Sequence, residues 1–67
     1  MNIILNNRPE TIDVETLTVR GLLNYKKFTF KLLVVKINNQ LVKKEQYDLA
    51  QIHDGDQVMV LHLVSGG

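Results

Sequence analysis

Met1, Ile3 and Leu5 stand two residues apart, which predicts a strand over 1–5. Asn6-Asn7-Arg8-Pro9 follows with turn-forming residues, and Thr11-Ile12-Asp13-Val14 alternates again, so a hairpin is expected at the start of the chain. The period then lengthens. Val19, Leu22 and Leu23 fall at i, i+3 and i+4 on one helical face, and Thr16 or Thr18 stands where it can cap the first turn. Gly21 within that stretch costs about 1 kcal/mol relative to alanine, so the helix is expected to be short and to end between Tyr25 and Lys27.

From Phe28 to Ile37 the run FTFKLLVVKI is rich in β-branched and aromatic residues and predicts a strand ending at Asn38. Asn38-Asn39 is a hairpin turn signal leading into a short strand, Gln40-Leu41-Val42. Residues 43–52 are polar with Tyr47, Leu49 and Ile52 interspersed, consistent with a single helical turn and a loop. Asp54-Gly55 marks another turn, and Asp56 to Val64 reads as the last strand. One helix cannot cover both faces of such a sheet, so one face is left for water or a partner. If the first and last strands lie side by side and parallel, the helix is their crossover. The fold class that follows is α+β: a β-grasp with a mixed sheet of four to five strands and one main helix on one face. Residues 1–64 form the domain and 65–67 a flexible tail.

Composition narrows the function classes. A single domain of 67 residues buries roughly 60% of its unfolded surface, and the hydrophobic content of 45% favours a folded chain. The net charge of +1 supplies no field for nucleic acid or an acidic membrane surface. No apolar run of about 18 residues occurs, and MNIILNNRP lacks the layout of a signal peptide, so a cytoplasmic protein, monomeric on its own, is expected. Cysteine is absent, which excludes disulfides, cysteine-held zinc or iron–sulfur clusters, and a thiol nucleophile or persulfide.

His53-Asp54-Gly55-Asp56 is the one cluster of potential ligands or acid–base groups, but the further acids of a calcium loop are missing, and a plain β-turn is the better reading. His62 stands alone in its strand, and Lys43-Lys44-Glu45 reads as a solvated face. No nucleophile–base pair, phosphate loop or metal set is present, so the chain is expected to be no enzyme and to bind no cofactor itself. The last strand is more informative, being apolar on both sides: Val58 and Val60 point one way, Met59, Leu61 and Leu63 the other. Either it is central and buried on both faces, or one face is core and the other a docking patch.

LHLVSGG poses the remaining question. Gly66-Gly67 reads either as a frayed terminus or as a segment built for threading. Extended, Ser65-Gly66-Gly67 reaches roughly 10 Å, enough to place a carboxylate inside another protein's active site, and glycine passes a slot that rejects any side chain. The reactive group on offer is the α-carboxylate, which becomes electrophilic once converted to an acyl-adenylate with ATP. Sulfide can then displace AMP and leave a thiocarboxylate without any cysteine.

Ile37-Asn38-Asn39-Gln40-Leu41-Val42, Lys44-Glu45-Gln46-Tyr47, Asp54-Gly55-Asp56-Gln57-Val58 and Gly66-Gly67 together resemble the ThiS family of sulfur carrier proteins of thiamine biosynthesis, within the ubiquitin-like β-grasp superfamily. The resemblance implies that an E1-like adenylyltransferase of the ThiF type activates Gly67 with ATP, and that sulfur arrives from a persulfide donor. The Gly67 thiocarboxylate then delivers it to a thiazole synthase of the ThiG type. Gly66 and Ser65 thread the tail. By likeness to the final strand of ubiquitin, Val58 and Val60 turn inward and Met59, Leu61 and Leu63 face partners. Two other functions share the terminal Gly-Gly: the small subunit of molybdopterin synthase, which usually carries prolines just before it, and a ubiquitin-like modifier, commonly with arginine where Ser65 stands.

Overall fold

Asn6 and Asn7 adopt φ of 52° and 67°, and Asn38 and Asn39 φ of 50° and 71°, in a computed structural model that describes residues 1–29 and 32–63. Positive φ at both central positions makes each Asn-Asn pair a type I′ turn, whose twist matches that of the flanking strands. The first joins β1 (Asn2–Leu5) to β2 (Arg8–Thr11) with Leu5 opposite Arg8; the second joins β4 (Leu33–Ile37) to β5 (Gln40–Val42) with Ile37 opposite Gln40.

The two-residue turn moves β2 forward of its sequence-based position. The strand expected over residues 11–14 instead starts at Arg8 and ends at Thr11, taking in Pro9. Proline is tolerated because β2 is an edge strand and Ile4–Pro9 lies next to the closing pair, where antiparallel partners do not exchange hydrogen bonds.

Between β2 and the helix lies β3 (Thr16–Thr18), which pairs antiparallel with β6 (Gln51–His53) in a separate two-stranded sheet. Sequence periodicity missed both, because three-residue strands are too short to show alternation. Residues 43–50 hold the expected single turn, a 3-10 helix over Lys44–Gln46.

Helix α1 (Val19–Tyr25) starts at Thr18, whose Oγ1 accepts the Gly21 N–H at 3.0 Å. The Val19 and Arg20 N–H groups donate to the Ala50 and Tyr47 carbonyls, so these donors of the first turn are all satisfied. The helix ends in a Schellman motif: Phe28 N–H donates to the Leu23 carbonyl, Lys27 N–H to Asn24, and Lys27 takes φ of 57°. Phe28 thereby leaves the helix packed against the core. The strand expected from Phe28 accordingly begins at Leu33, with residues 30 and 31 outside the description.

The main sheet is five-stranded, in the order β2-β1-β7-β4-β5, with β7 (Gln57–His62) at its centre. β1 and β7 run parallel through Ile4–Gln57 and Leu5–Val58, as the β-grasp arrangement requires; all other pairs in the sheet are antiparallel. Val19, Leu22 and Leu23 of α1 pack on Ile3, Leu5, Val35, Val58 and Val60, and Ile52 and Tyr47 close the core from the side. No helix among the described residues is long and apolar enough to cross a membrane.

Candidate functional site: the open face of the sheet

The register determines which side chains share the face away from α1. Leu61 stands opposite Val34, and Lys36 stands opposite Met59 on one side and Leu41 on the other. Ile4 stands opposite Pro9 and Gln57. Alternation therefore places Ile4, Val34, Leu41, Met59 and Leu61 together on an uncovered surface with Lys36 at its centre. Val58 and Val60, of opposite parity, are 0% and 7% exposed, whereas Leu61 is 41% exposed and Leu63 50%. The last strand is thus buried on one face only.

Met59 and Leu61 lie on this face, and Leu63 continues from the strand with its N–H on the Leu32 carbonyl at 2.9 Å. Ser65, Gly66 and Gly67, which carry the threading and the chemistry expected from the sequence, lie outside the described residues, as does Val64. Sequence reading missed Ile4, Val34, Lys36 and Leu41 as members of the face. The signal was present in LLVVKI, which like VMVLHLV is apolar at both parities, but which parity faces outward depends on register.

β7 is held in place by side chains as well as ladders. Asn6 Oδ1 accepts the Val60 N–H at 2.8 Å, and Asn38 Oδ1 accepts the Gln57 N–H at 2.9 Å. Asp56 accepts from Asn38 Nδ2 at 3.0 Å and from the His53 N–H at 2.8 Å, while Asp54 accepts from the Asn2 N–H at 2.6 Å. His53-Asp54-Gly55-Asp56 is therefore a turn whose carboxylates tie backbone amides, with Gly55 at φ of 88°. Among the described residues no group of three or more potential ligands could hold a metal ion. A groove of about 530 Å³ between α1 and the β4–β5 edge is lined by Arg20, Phe28, Lys43, Lys44 and Tyr47 among others, with no carboxylate, imidazole or thiol.

The described residues thus present one apolar, uncovered sheet face around Lys36. The ThiS family matches residues 3–67. The sulfur carrier protein ThiS of Bacillus subtilis (strain 168) is 29% identical over 63 residues, covering 94% of this chain and 96% of that protein. An uncharacterized protein, ycf40, of Trieres chinensis is 31% identical over 61 residues, covering 91% and 84%. The crystal structure of a thiamine biosynthesis protein (ThiS) from Geobacter metallireducens superimposes over the full length of both chains with a TM-score of 0.90 and 33% identity. Its solution structure gives 0.82 over 100% of this chain and 88% of that one. This chain belongs to the ThiS family of sulfur carrier proteins, with their ubiquitin-like β-grasp fold.

Proposed function

We propose that this protein carries sulfur as a thiocarboxylate on Gly67 for formation of the thiazole ring of thiamine. The observation that carries the reading is the family match, which extends through Gly67 in a chain without cysteine. With no side-chain thiol available, the α-carboxylate of Gly67 is the group on which sulfur would travel.

The chemistry runs in two stages. The Gly67 carboxylate attacks the α-phosphorus of ATP on an E1-like adenylyltransferase of the ThiF type, forming a mixed anhydride and releasing pyrophosphate. The terminal sulfur of a persulfide donor then attacks the activated carbonyl and AMP leaves. A thiol, which this chain does not itself contain, cleaves the resulting acyl disulfide, leaving the thiocarboxylate on Gly67 and a disulfide on the donor side. The thiocarboxylate is a soft nucleophile and passes its sulfur to a thiazole synthase of the ThiG type.

Gly66 and Ser65 serve as the threading segment, since neither carries a side chain larger than a hydroxymethyl group. Met59, Leu61 and Leu63 dock on the partner enzymes. From Leu63 the four following residues span at most about 14 Å, so an enzyme that holds Gly67 must also cover the end of β7.

The test is the mass of the intact protein after incubation with ATP, the adenylyltransferase and a sulfur source. Sulfur in place of oxygen adds roughly 16 Da, nearly the increment of methionine oxidation at Met1 or Met59. A C-terminal fragment must therefore carry the shift. An increment found only on methionine overturns the reading.

A further inference from the structure

Among the strand positions of the open face, Lys36 is the single charged residue. Arg8 and Glu10 stand opposite Leu5 and Ile3 and so have the other parity, and Glu10 is taken up by Lys26 at 3.2 Å. Asp54 and Asp56 are tied to backbone and side-chain donors beside β7. Lys36 has no ion pair among the described residues. It is half-buried and stands between Met59 and Leu41 on the neighbouring strands, a setting in which a lysine lays its methylene stem along apolar surface and keeps its ammonium at the solvent side.

A purely apolar face needs no such residue, and an unpaired ammonium covered by a partner without an acceptor would be heavily penalised. Two copies of this chain packed face to face about a two-fold axis through the centre of the patch would bring their Lys36 side chains together, which like-charge repulsion opposes. The face therefore fits a surface of complementary sign better than a second copy of itself.

We propose that Lys36 determines partner choice at the open face: the adenylyltransferase that activates Gly67 presents an apolar surface with a carboxylate opposite Lys36, and the same charge keeps the carrier from pairing with itself. The inference rests on the reading of this face as the docking surface. The adenylyltransferase is the occupant assigned because it must hold Gly67 within reach of the end of β7 before any sulfur is carried, and the thiazole synthase, which the same reach constrains, is measured beside it.

Binding titrations against the adenylyltransferase and the thiazole synthase of the same organism, at low and high salt, test the proposal with Lys36→Glu, Lys36→Met and Leu61→Ala. Melts followed by circular dichroism establish that each variant is folded. Lys36→Glu should weaken binding by about tenfold or more, and Lys36→Met should flatten the salt dependence. A zero-length carbodiimide should join Lys36 to an aspartate or glutamate of the enzyme in the wild-type complex. Sedimentation should show Lys36→Met self-associating at concentrations where the wild type is monomeric. If Lys36→Glu binds as the wild type does while Leu61→Ala binds weakly, the docking reading survives and the role of Lys36 is overturned. If neither variant loosens the complex, the docking reading itself fails. Loss confined to the thiazole synthase, or a wild-type dimer dispersed by Leu61→Ala, overturns the assignment of the occupant.

Discussion

Asn6 Oδ1 accepts the backbone N–H of Val60 at 2.8 Å, joining the first turn of the chain to its last strand. The Asn6 N–H itself donates to the Val58 carbonyl at 2.9 Å, the last backbone bond before β1 turns away. Beyond that point the Val60 amide has no strand on its β1 side. The side-chain carbonyl of Asn6 takes over the role of the missing strand, while positive φ makes the same residue suited to the turn.

The two roles of Asn6 can be separated. Asn6→Gly keeps the turn but strands the Val60 N–H, and should cost about 1–2 kcal/mol. Asn6→Ala adds backbone strain and should cost about 1 kcal/mol more. Asn7→Gly serves as a control and should be neutral or stabilising. Urea unfolding of the three variants measures the differences; equal losses for Asn6→Gly and Asn7→Gly would show that the hydrogen bond carries nothing.

Lys27 closes α1 in the left-handed region, at φ of 57°, where a side chain costs about 1–2 kcal/mol. Lys27→Gly should relieve that strain and, after the added freedom of the unfolded chain, stabilise by about 0.5–1 kcal/mol. A lower melting temperature for this variant would show that the lysine side chain holds something the left-handed backbone does not explain.

Gly21→Ala should fail to deliver the gain of about 1 kcal/mol that helix propensity promises. A Cβ there would stand 2.7 Å from Leu17 Cδ1 and 3.2 Å from its Cγ, so Leu17 of β3 must shift against the core. A full gain in chemical denaturation would mean that Leu17 moves aside without penalty.

Val60→Ala and Leu61→Ala should act on different properties. Val60 is in the core, and its truncation should cost about 1–3 kcal/mol. Leu61 faces outward beside Val34, and its truncation should change stability by no more than about 0.5 kcal/mol while weakening binding to the adenylyltransferase. Thermal melts and binding titrations on both proteins provide the comparison, and a large stability loss in Leu61→Ala would contradict the exposure of that face.

Several features were legible in the residues alone because their causes are local. The Asn38-Asn39 turn, the apolar face of Val19, Leu22 and Leu23, and a threonine cap at Thr16 or Thr18 depend on backbone preference and spacing within a few positions; the structure makes Thr18 the cap. The first turn, four residues long by sequence, proved to be the two-residue Asn6-Asn7. The absence of cysteine likewise bounds the sulfur chemistry without any structure. The short strands β3 and β6 were not legible, because Thr16–Thr18 and Gln51–His53 become strands only by pairing with each other across more than thirty residues of sequence. The left-handed Lys27 was hidden because the sequence places no glycine where the Schellman motif needs one. In β7 both faces are apolar, so alternation specified two sides without naming the inner one. Tertiary structure decided it: α1 covers a single face of the sheet, and the register through Val35–Val60 and Ile37–Val58 turns the valines beneath it, leaving Leu61 outside beside Val34 and Met59 beside Lys36.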